Sequence, residues 1–298
     1  MSTLESPPPT TAQIQVRRVA GALGAEVLGV DLGALDDRTF TAIEAALAEH
    51  LVLFFPGWAP SLEEQRDFAA RFGPLEVHPV LAKVDEAVPE VVLIDGGIRA
   101  DTWHTDVTWS AHPPIASVFH LVDGPDHAGD TMWTNMEQAF AELSAPMQEL
   151  CLGLTATHAG ALFGLPHETA VHPVVRRHPV IGRPALYVNR TWTSHINELT
   201  PAESVALLAM LYAHSEQPHL TVRRHWAPGE VCVWDNRSTM HVAVNDYGDA
   251  PRRVHRVTVL GDDPQPAGEL RWPEHTDAVF SARTGMGLVQ RSARPAPR

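Results

Sequence analysis

The chain has 298 residues, with 22 basic against 36 acidic side chains and a formal net charge of −14. This length can bury one sizeable core, and the acidic balance argues against partners such as nucleic acid or a membrane surface, which select basic patches. No apolar run is long enough to span a bilayer, and we expect no signal peptide. The only two cysteines, Cys151 and Cys232, have apolar neighbours and are predicted to be buried free thiols of a cytoplasmic protein.

The ends of the chain differ in composition from the rest. Residues 1–12 include three successive prolines, and residues 292–298 are rich in arginine and proline. We expect both segments to be flexible termini. No internal repeat or linker divides the remainder, so residues 13–291 are predicted to form a single domain.

The N-terminal part of the chain predicts strands followed by a helix. Glycines punctuate β-prone residues within 14–32. Asp36 or Asp37 can cap a helix that runs to His50, and residues 51–55 then predict a strand.

Two capping boxes mark further helices. Residues 61–64 (SLEE) open a helix that ends near Phe72, and residues 200–203 (TPAE) open another that ends near His214. Short apolar runs predict additional strands at 91–94, 115–122, 185–188, 221–226 and 231–234. The sequence therefore indicates a mainly β protein with flanking helices.

The tripeptide His104-Thr105-Asp106 is followed far downstream by an isolated His241. Residues i and i+2 of a strand point to the same face, so His104 and Asp106 could reach one ion from a strand or its edge. Two imidazoles and one carboxylate form the facial triad of non-haem Fe(II) oxygenases, which leaves positions open for other ligands. We therefore predict that His104, Asp106 and His241 bind a metal ion.

A second copy of this tripeptide, His275-Thr276-Asp277, shows that the pattern alone is a weak signal. The copy lies in a polar stretch, and no histidine follows it. We assign it a structural or solvent-exposed role.

Residues 251–261 (PRRVHRVTVLG) form a β-branched run that predicts a strand. In a regular strand Arg252 and Arg256 point to one face, with Cα atoms roughly 13 Å apart, while Arg253 and His255 point to the other. Two arginines on an inward face are unfavourable unless an anion lies between them. The alternative is a solvated face with ordinary surface charge; the histidine upstream favours the anion site.

Four segments together resemble the taurine dioxygenase family of Fe(II)/2-oxoglutarate-dependent oxygenases, which includes alkylsulfatases and aryloxyalkanoate dioxygenases. They are WHTDVTW (103–109), GDTMWTN (129–135), WDNRSTMH (234–241) and RRVHRVTVLGD (252–262). The resemblance covers nearly the whole chain. It implies a double-stranded β-helix of the jelly-roll or cupin-like kind. It also implies that 2-oxoglutarate and O2 are consumed to give succinate and CO2 while a bound substrate is oxidised.

The resemblance also assigns cofactor roles to individual residues. The three predicted metal ligands match the family's iron ligands. Thr131 and Arg252 match residues that hold the distal carboxylate of 2-oxoglutarate. Arg256 matches a residue near the metal-bound end of 2-oxoglutarate and the substrate anion. The family also leads us to expect a homo-oligomer, a dimer or a tetramer.

The substrate pocket is predicted from fewer matches. His78 matches a family histidine that contacts a sulfonate, and Trp192 matches an aromatic wall. Val107 and Trp109 follow the predicted metal ligand Asp106 closely, so we place them in the pocket as well. For the histidine and both tryptophans, an ordinary core position is the alternative reading.

Two positions depart from the taurine-specific enzyme of this family, which has tyrosine where this chain has Leu81 and asparagine where it has Ala100. Those polar groups serve the amine end of taurine, and burying an unpaired ammonium is unfavourable. We therefore expect a small anionic substrate with a hydrocarbon or aromatic tail: a sulfonate, a sulfate ester, or an aryloxy or carboxylic acid.

Three other functions are compatible with parts of the sequence. Related halogenases replace the carboxylate ligand with a small residue, and Asp106 is intact. A zinc-dependent hydrolase has no need of Thr131 and the paired arginines, and the chain lacks the HExxH glutamate. A non-catalytic, cupin-like metabolite-binding protein is the third alternative.

Overall fold

The computed structural model describes residues 14–78, 81–95 and 100–275. The predicted flexible termini, 1–12 and 292–298, lie outside these residues, and the domain limits of 13 and 291 stay a prediction. No helix in the described part is long and apolar enough to cross a membrane.

Short strands dominate the described chain, and five α-helices lie between them. In chain order the elements are β1 (Gln15–Arg18), β2 (Ala25–Leu28), α1 (Asp37–His50), β3 (Val52–Phe55), α2 (Leu62–Ala70), β4 (Val92–Ile94), β5 (Ala116–Asp123), β6 (Thr131–Asn135), α3 (Met136–Ala141), α4 (Ala145–Leu152), β7 (Thr155–Gly160), β8 (Leu165–Pro173), β9 (Val175–Arg177), β10 (Pro184–Leu186), β11 (Thr193–Ile196), α5 (Pro201–Ser215), β12 (Thr221–Arg224), β13 (Glu230–Asp235), β14 (Thr239–Ala243) and β15 (Arg253–Val259).

Two sheets enclose the centre of the protein. The larger sheet has the order β1-β2-β3-β13-β5-β15-β4, and the smaller one has the order β12-β6-β14. Side chains from both sheets meet in one buried cluster that includes Phe54 and Phe119 from the larger sheet and Trp133 from the smaller. Apart from β1, β2 and β3, neighbouring strands within these two sheets are distant in sequence, as expected for the predicted double-stranded β-helix.

The opposite face of the larger sheet is covered by helices. Side chains alternate along β3 and β13, so Leu53 and Val233 point away from the neighbouring sheet. They pack against Ile43 of α1 and Phe68 of α2, and all four side chains are at most 2% exposed. The helices therefore support the sheet from outside, as predicted.

A second core lies beside the β-helix. The small sheets β11-β7-β8 and β10-β9 pack with α3, α4 and α5 around Leu154, Leu186 and Leu211. Cys151 belongs to this core and Cys232 to the cluster between the larger and the smaller sheet. Both are buried and free, as predicted.

The capped helices agree with their predictions. Asp36 accepts a hydrogen bond from the backbone N–H of Thr39 at the start of α1. Ser61 and Glu64 form the predicted capping box of α2, and Glu203 accepts a bond from the Thr200 N–H at α5.

Several elements were not predicted. They include α3, α4, β7, β8, β11 and β14. The two helices have six and eight residues, too few for a helical apolar period to stand out. The strands include histidines and small residues that give no clear alternation.

Gly261 lets the end of β15 pass close to the segment before β5. A Cβ atom at Gly261 would overlap the backbone carbonyl of Pro113. Next to this crossing, Ile115 donates a backbone hydrogen bond of 3.1 Å to Val259. Neither backbone can move without disturbing the pairing of β5 with β15.

We predict that Gly261→Ala destabilises the protein by about 1–3 kcal/mol or more, because a methyl group is forced into occupied space. The matched control is Gly21→Ala, where nothing lies within 4 Å of the added Cβ. Urea denaturation of both variants measures the difference. Equal stabilities would contradict the close packing.

Candidate active site

Strand pairing brings two of the predicted metal ligands together. His241 lies on β14, and His104 forms an isolated antiparallel bridge with it. The His104 N–H donates to the His241 carbonyl at 3.0 Å, and the His241 N–H donates to the His104 carbonyl at 2.7 Å. His104 and Asp106 were predicted on a strand or its edge. His104 occupies such an edge position, whereas Asp106 begins the turn that follows it.

The three side chains form one buried cluster. Asp106 Oδ1 lies 3.9 Å from His104 Nε2 and 3.8 Å from His241 Nε2. One nitrogen or oxygen atom from each residue lies within 4.8 Å of the others, a spacing that suits a shared ion. Within the described ranges, this is the one group of three His, Cys, Asp or Glu side chains with such spacing.

The protonation states in this cluster fit a metal ion. Burial lowers the pKa of His104 and lowers that of His241 to about 3, so both rings are neutral. His104 Nδ1 lies 2.8 Å from the Thr102 carbonyl, which can only accept, so its Nε2 carries a lone pair. Burial would raise the pKa of Asp106, but the Arg256 guanidinium and the hydrogen bond from Ser117 oppose this effect, and the pKa is lowered overall. Neutral imidazoles and an ionised carboxylate are the forms that bind metals.

The turn that contains Asp106 has an unusual backbone. Val107 adopts a φ of 52°, which is rare for a β-branched residue. The preceding Thr105 is held by its hydroxyl, which donates a 2.7 Å bond to the carbonyl of Thr239. Such strain persists only where the surroundings fix the backbone.

Thr108 anchors the other side of this turn. Its hydroxyl lies 2.8 Å from His158 Nδ1 and accepts a 3.2 Å bond from the Asn189 amide. His172 Nε2 contacts the carbonyls of Thr108 and Ser110 at 2.9 and 3.0 Å, so it must be the donor. These contacts hold the turn that contains Asp106 in place. None of the residues that make them was predicted.

Asp106 also accepts two side-chain hydrogen bonds. Arg256 Nη1 donates to Oδ1 at 2.9 Å, and the Ser117 hydroxyl donates to Oδ2 at 2.9 Å. Arg256 is 8% exposed. The carboxylate therefore has a defined orientation and a buried cationic neighbour.

Arg252 immediately precedes β15, the strand that carries Arg256. Its Nε donates to the Gly129 carbonyl at 3.0 Å, and its Nη2 lies 3.4 Å from the Thr131 hydroxyl. Trp226 Nε1 also donates to that hydroxyl, at 3.0 Å. The structure thus brings together Thr131 and Arg252, the two residues predicted to share one carboxylate.

Arg252 is 7% exposed, and burial lowers its pKa. The rings of Phe119 and Tyr247 lie 5.6 and 5.9 Å from its guanidinium carbon. Within the described part of the chain, no carboxylate lies within 4.0 Å of it. A buried guanidinium with only neutral neighbours at this range can accommodate an anion.

Burial supports one inward face for the two arginines. Arg252, Val254 and Arg256 are buried, whereas Arg253 is exposed and His255 is half-buried. The strand is not fully regular, because its register with β5 shifts between Arg253 and Val254. Leu260, which shares the sequence parity of Arg252 and Arg256, lies beyond β15 and is exposed.

A cavity adjoins the cluster of candidate metal ligands. Most of the predicted pocket residues line it, together with Ile94, which was not predicted. The lining consists of His78, Leu81, Ile94, Ala100, His104, Asp106, Val107, Trp192 and Arg256. Trp109 is not part of this lining; it packs with Val107 and Trp192 in a small apolar cluster.

His78 presents a defined hydrogen-bond donor. Burial lowers its pKa to about 4, so the ring is neutral. The Leu81 backbone N–H donates to Nδ1 at 3.1 Å, which leaves the ring proton on Nε2. An Nε2–H group suits an anionic oxygen.

The second copy of the tripeptide is separate from this site. His275 is exposed, and its backbone N–H donates to Asn197 at 2.7 Å. The exposure agrees with its assignment to the surface. Thr276 and Asp277 lie outside the described residues.

The comparisons with known proteins agree with this geometry. The family described as "Taurine catabolism dioxygenase TauD, TfdA family" matches residues 15–258. The chain is similar to an alpha-ketoglutarate-dependent sulfate ester dioxygenase from Pseudomonas putida, with 38% identity across 86% of this chain and 92% of that protein. It is also similar to an alkylsulfatase from Acinetobacter baylyi, with 35% identity across 85% of this chain and 86% of that protein.

A solved structure gives the same result. A taurine dioxygenase from Burkholderia xenovorans superimposes with a TM-score of 0.80 and 38% identity, covering 92% of this chain and 99% of that one. Alpha-ketoglutarate is another name for 2-oxoglutarate. The chain belongs to the taurine catabolism dioxygenase TauD, TfdA family and is a 2-oxoglutarate-dependent dioxygenase.

Proposed function

We propose that the chain is an Fe(II)-dependent enzyme that hydroxylates a small organic anion, with alkyl sulfate esters as the first substrate class. The buried cluster of His104, Asp106 and His241 carries this proposal, because three protein ligands leave positions for 2-oxoglutarate and O2. An iron ion bound there would couple the oxidative decarboxylation of 2-oxoglutarate to hydroxylation of the substrate.

The positions of the arginines support a binding mode for 2-oxoglutarate. Arg252 and Thr131 would hold its distal carboxylate, since their polar atoms already converge. Arg256 would stay near the other end, because it contacts the carboxylate of Asp106. Hydrogen bonds from a guanidinium to a carboxylate are charge-assisted and orient the ligand.

The cavity supports an anion with an apolar tail. Arg256 and the Nε2–H of His78 would bind the acid head. Leu81, Ile94 and Trp192 offer apolar surface for a hydrocarbon chain. The similarity to a sulfate ester dioxygenase and an alkylsulfatase favours sulfate esters over sulfonates and aryloxy acids.

The proposed reaction balances without a further reactant. Hydroxylation of the carbon that bears the sulfate oxygen gives an unstable hemiacetal-like product. Its hydroxyl proton leaves, the C–O bond to sulfate breaks, and an aldehyde and sulfate form. One O2 and one 2-oxoglutarate are consumed, and succinate and CO2 are released.

A zinc hydrolase, a non-catalytic binding protein and a halogenase are less well supported than a hydroxylating dioxygenase. Family membership disfavours a zinc hydrolase and a non-catalytic binding protein. Asp106 retains a carboxylate at the position that a halogenase would leave open. The cytoplasmic location and the dimer or tetramer stay predictions.

We predict that His104→Ala abolishes stoichiometric Fe(II) binding under anaerobic conditions, because one imidazole ligand is removed. His275→Ala, in the second copy of the tripeptide, is the matched control and keeps it. Isothermal titration calorimetry measures both. Binding of one ion to His104→Ala with unchanged affinity would show that the metal lies elsewhere.

Arg252→Ala is predicted to raise the KM for 2-oxoglutarate about 10- to 100-fold, because it removes a charge-assisted contact. Arg253→Ala is the control, since Arg253 is the exposed neighbour. Steady-state succinate formation at varied 2-oxoglutarate gives both values. An unchanged KM in Arg252→Ala would rule out this residue as the carboxylate partner.

A substrate panel tests the acid head and the tail together. We expect medium-chain alkyl sulfates to stimulate succinate release most, with alkyl sulfonates and aryloxy acids below them and taurine weakest. Succinate and sulfate are measured in parallel, because a coupled reaction yields one of each from a sulfate ester. Stimulation by amino acids or uncharged metabolites alone would be inconsistent with an anion-binding pocket.

A further inference from the structure

We propose that Ser117 is a positioning residue that makes Asp106 present a single oxygen, Oδ1, to the metal ion. The inference rests on the proposed metal site. It concerns a residue of β5 that neither binds the ion nor lines the cavity.

Ser117 is fixed by sheet pairing. It is 0% exposed and lies in the middle of the larger sheet, opposite Trp234 of β13 on one side and Thr258 of β15 on the other. Its hydroxyl therefore cannot turn to solvent. From this position it lies 2.9 Å from Asp106 Oδ2.

Neighbouring groups determine the direction of this hydrogen bond. The indole N–H of Trp234 can only donate, and it lies 3.0 Å from Asn236 Oδ1. The Asn236 amide nitrogen must then be the end that faces the Ser117 hydroxyl, and it donates at 3.2 Å. Since the Ser117 oxygen accepts this bond, its own proton is available for Asp106.

The two oxygens of Asp106 consequently have different surroundings. Oδ1 faces both imidazole nitrogens, at 3.9 and 3.8 Å. Oδ2 is bound to Ser117 and belongs to the hydrogen-bonded chain from Trp234. A hydrogen bond from a hydroxyl to an ionised carboxylate is charge-assisted, so rotation that brings both oxygens to the ion is disfavoured because it would break this bond.

Single-oxygen ligation matters for the proposed reaction. If both oxygens of Asp106 bound the ion, the second oxygen would occupy a coordination position that 2-oxoglutarate or O2 needs. Arg256 does not perform the same task, because it donates to Oδ1, not to Oδ2. Ser117 is the hydrogen-bond partner that occupies Oδ2.

The same chain of contacts reaches a second ligand. The ring of Trp234 packs 4.7 Å from the ring of His241, measured between centroids. Trp234 therefore contacts one candidate ligand directly and orients another through Asn236 and Ser117. This gives the Trp-x-Asn part of the WDNRSTMH segment a physical role.

The test compares four variants with the wild-type full-length chain. Ser117→Ala removes the hydroxyl. Ser117→Thr and Ser117→Val form a pair of equal shape that differs by hydroxyl against methyl. Ser215→Ala is the control, because Ser215 is also a buried donor but bonds within its own helix, to Leu211 at 2.9 Å. Thermal unfolding first establishes the folded fraction of each variant.

The readouts are the affinity for Co(II) alone, measured by calorimetry, and the visible spectrum of the Co(II) protein, which reports coordination number. We expect Ser117→Ala and Ser117→Val to lose about 10- to 100-fold in affinity and to show an altered spectrum. Ser117→Thr should recover affinity and spectrum, and Ser215→Ala should match the wild type.

Other outcomes separate the two proposals. If the wild type binds Co(II) and Ser117→Ala binds it equally with the same spectrum, the positioning role of Ser117 is wrong and the metal site stands. If the wild type itself binds neither Co(II) nor Fe(II), the proposed function fails. Loss of the fold in both variants that lack the hydroxyl would assign Ser117 to stability and overturn its role as a positioning residue.

Discussion

The antiparallel bridge between His104 and His241 is the contact on which the candidate active site depends. Two backbone hydrogen bonds join distant parts of the chain and bring the imidazole rings to 4.2 Å between centroids. Because backbone pairing fixes both direction and register, this proximity does not require an ion. The neighbouring pairing of β14 with β6 places Ala243 opposite Thr131. One small sheet therefore carries a candidate metal ligand and a candidate 2-oxoglutarate ligand.

Buried charge constrains the rest of the site. Arg256 and Asp106 compensate each other at 2.9 Å, whereas Arg252 donates to the Gly129 carbonyl and lies beside the Thr131 hydroxyl, both neutral. A buried guanidinium in such surroundings gains most from a ligand that carries a carboxylate. The buried guanidinium can therefore favour a dianion in the cavity even though the whole chain has a net charge of −14. The negative charge of the whole protein is set mainly by its surface, while affinity in the cavity is set by groups a few ångströms away.

Residue order was sufficient to predict features that depend on local chemistry. The capping boxes and the inward arginines belong to this group, whereas the pairing of the His-x-Asp motif with the distal His241 was predicted with the help of the family resemblance. Positions that depend on long-range pairing could not be predicted. The left-handed conformation of Val107 opposes the preference of a β-branched residue and is supported by contacts such as that of Thr105 with Thr239. Ser117 is an ordinary strand residue until the register of β5 with β13 places it beside Asn236.

The residues that line the cavity fall into two groups. One group is held by the larger sheet, and the other lies on connecting segments. Arg256 lies within the larger sheet, and Asp106 is held by Ser117 from that sheet, so changes there would disturb the reaction itself. Leu81 and Ala100 lie on connecting segments outside the named strands. Loop positions tolerate substitution better than buried strand positions. In the proposed function, a change of substrate tail would therefore arise at these two residues while the candidate metal ligands and the arginines stay in place.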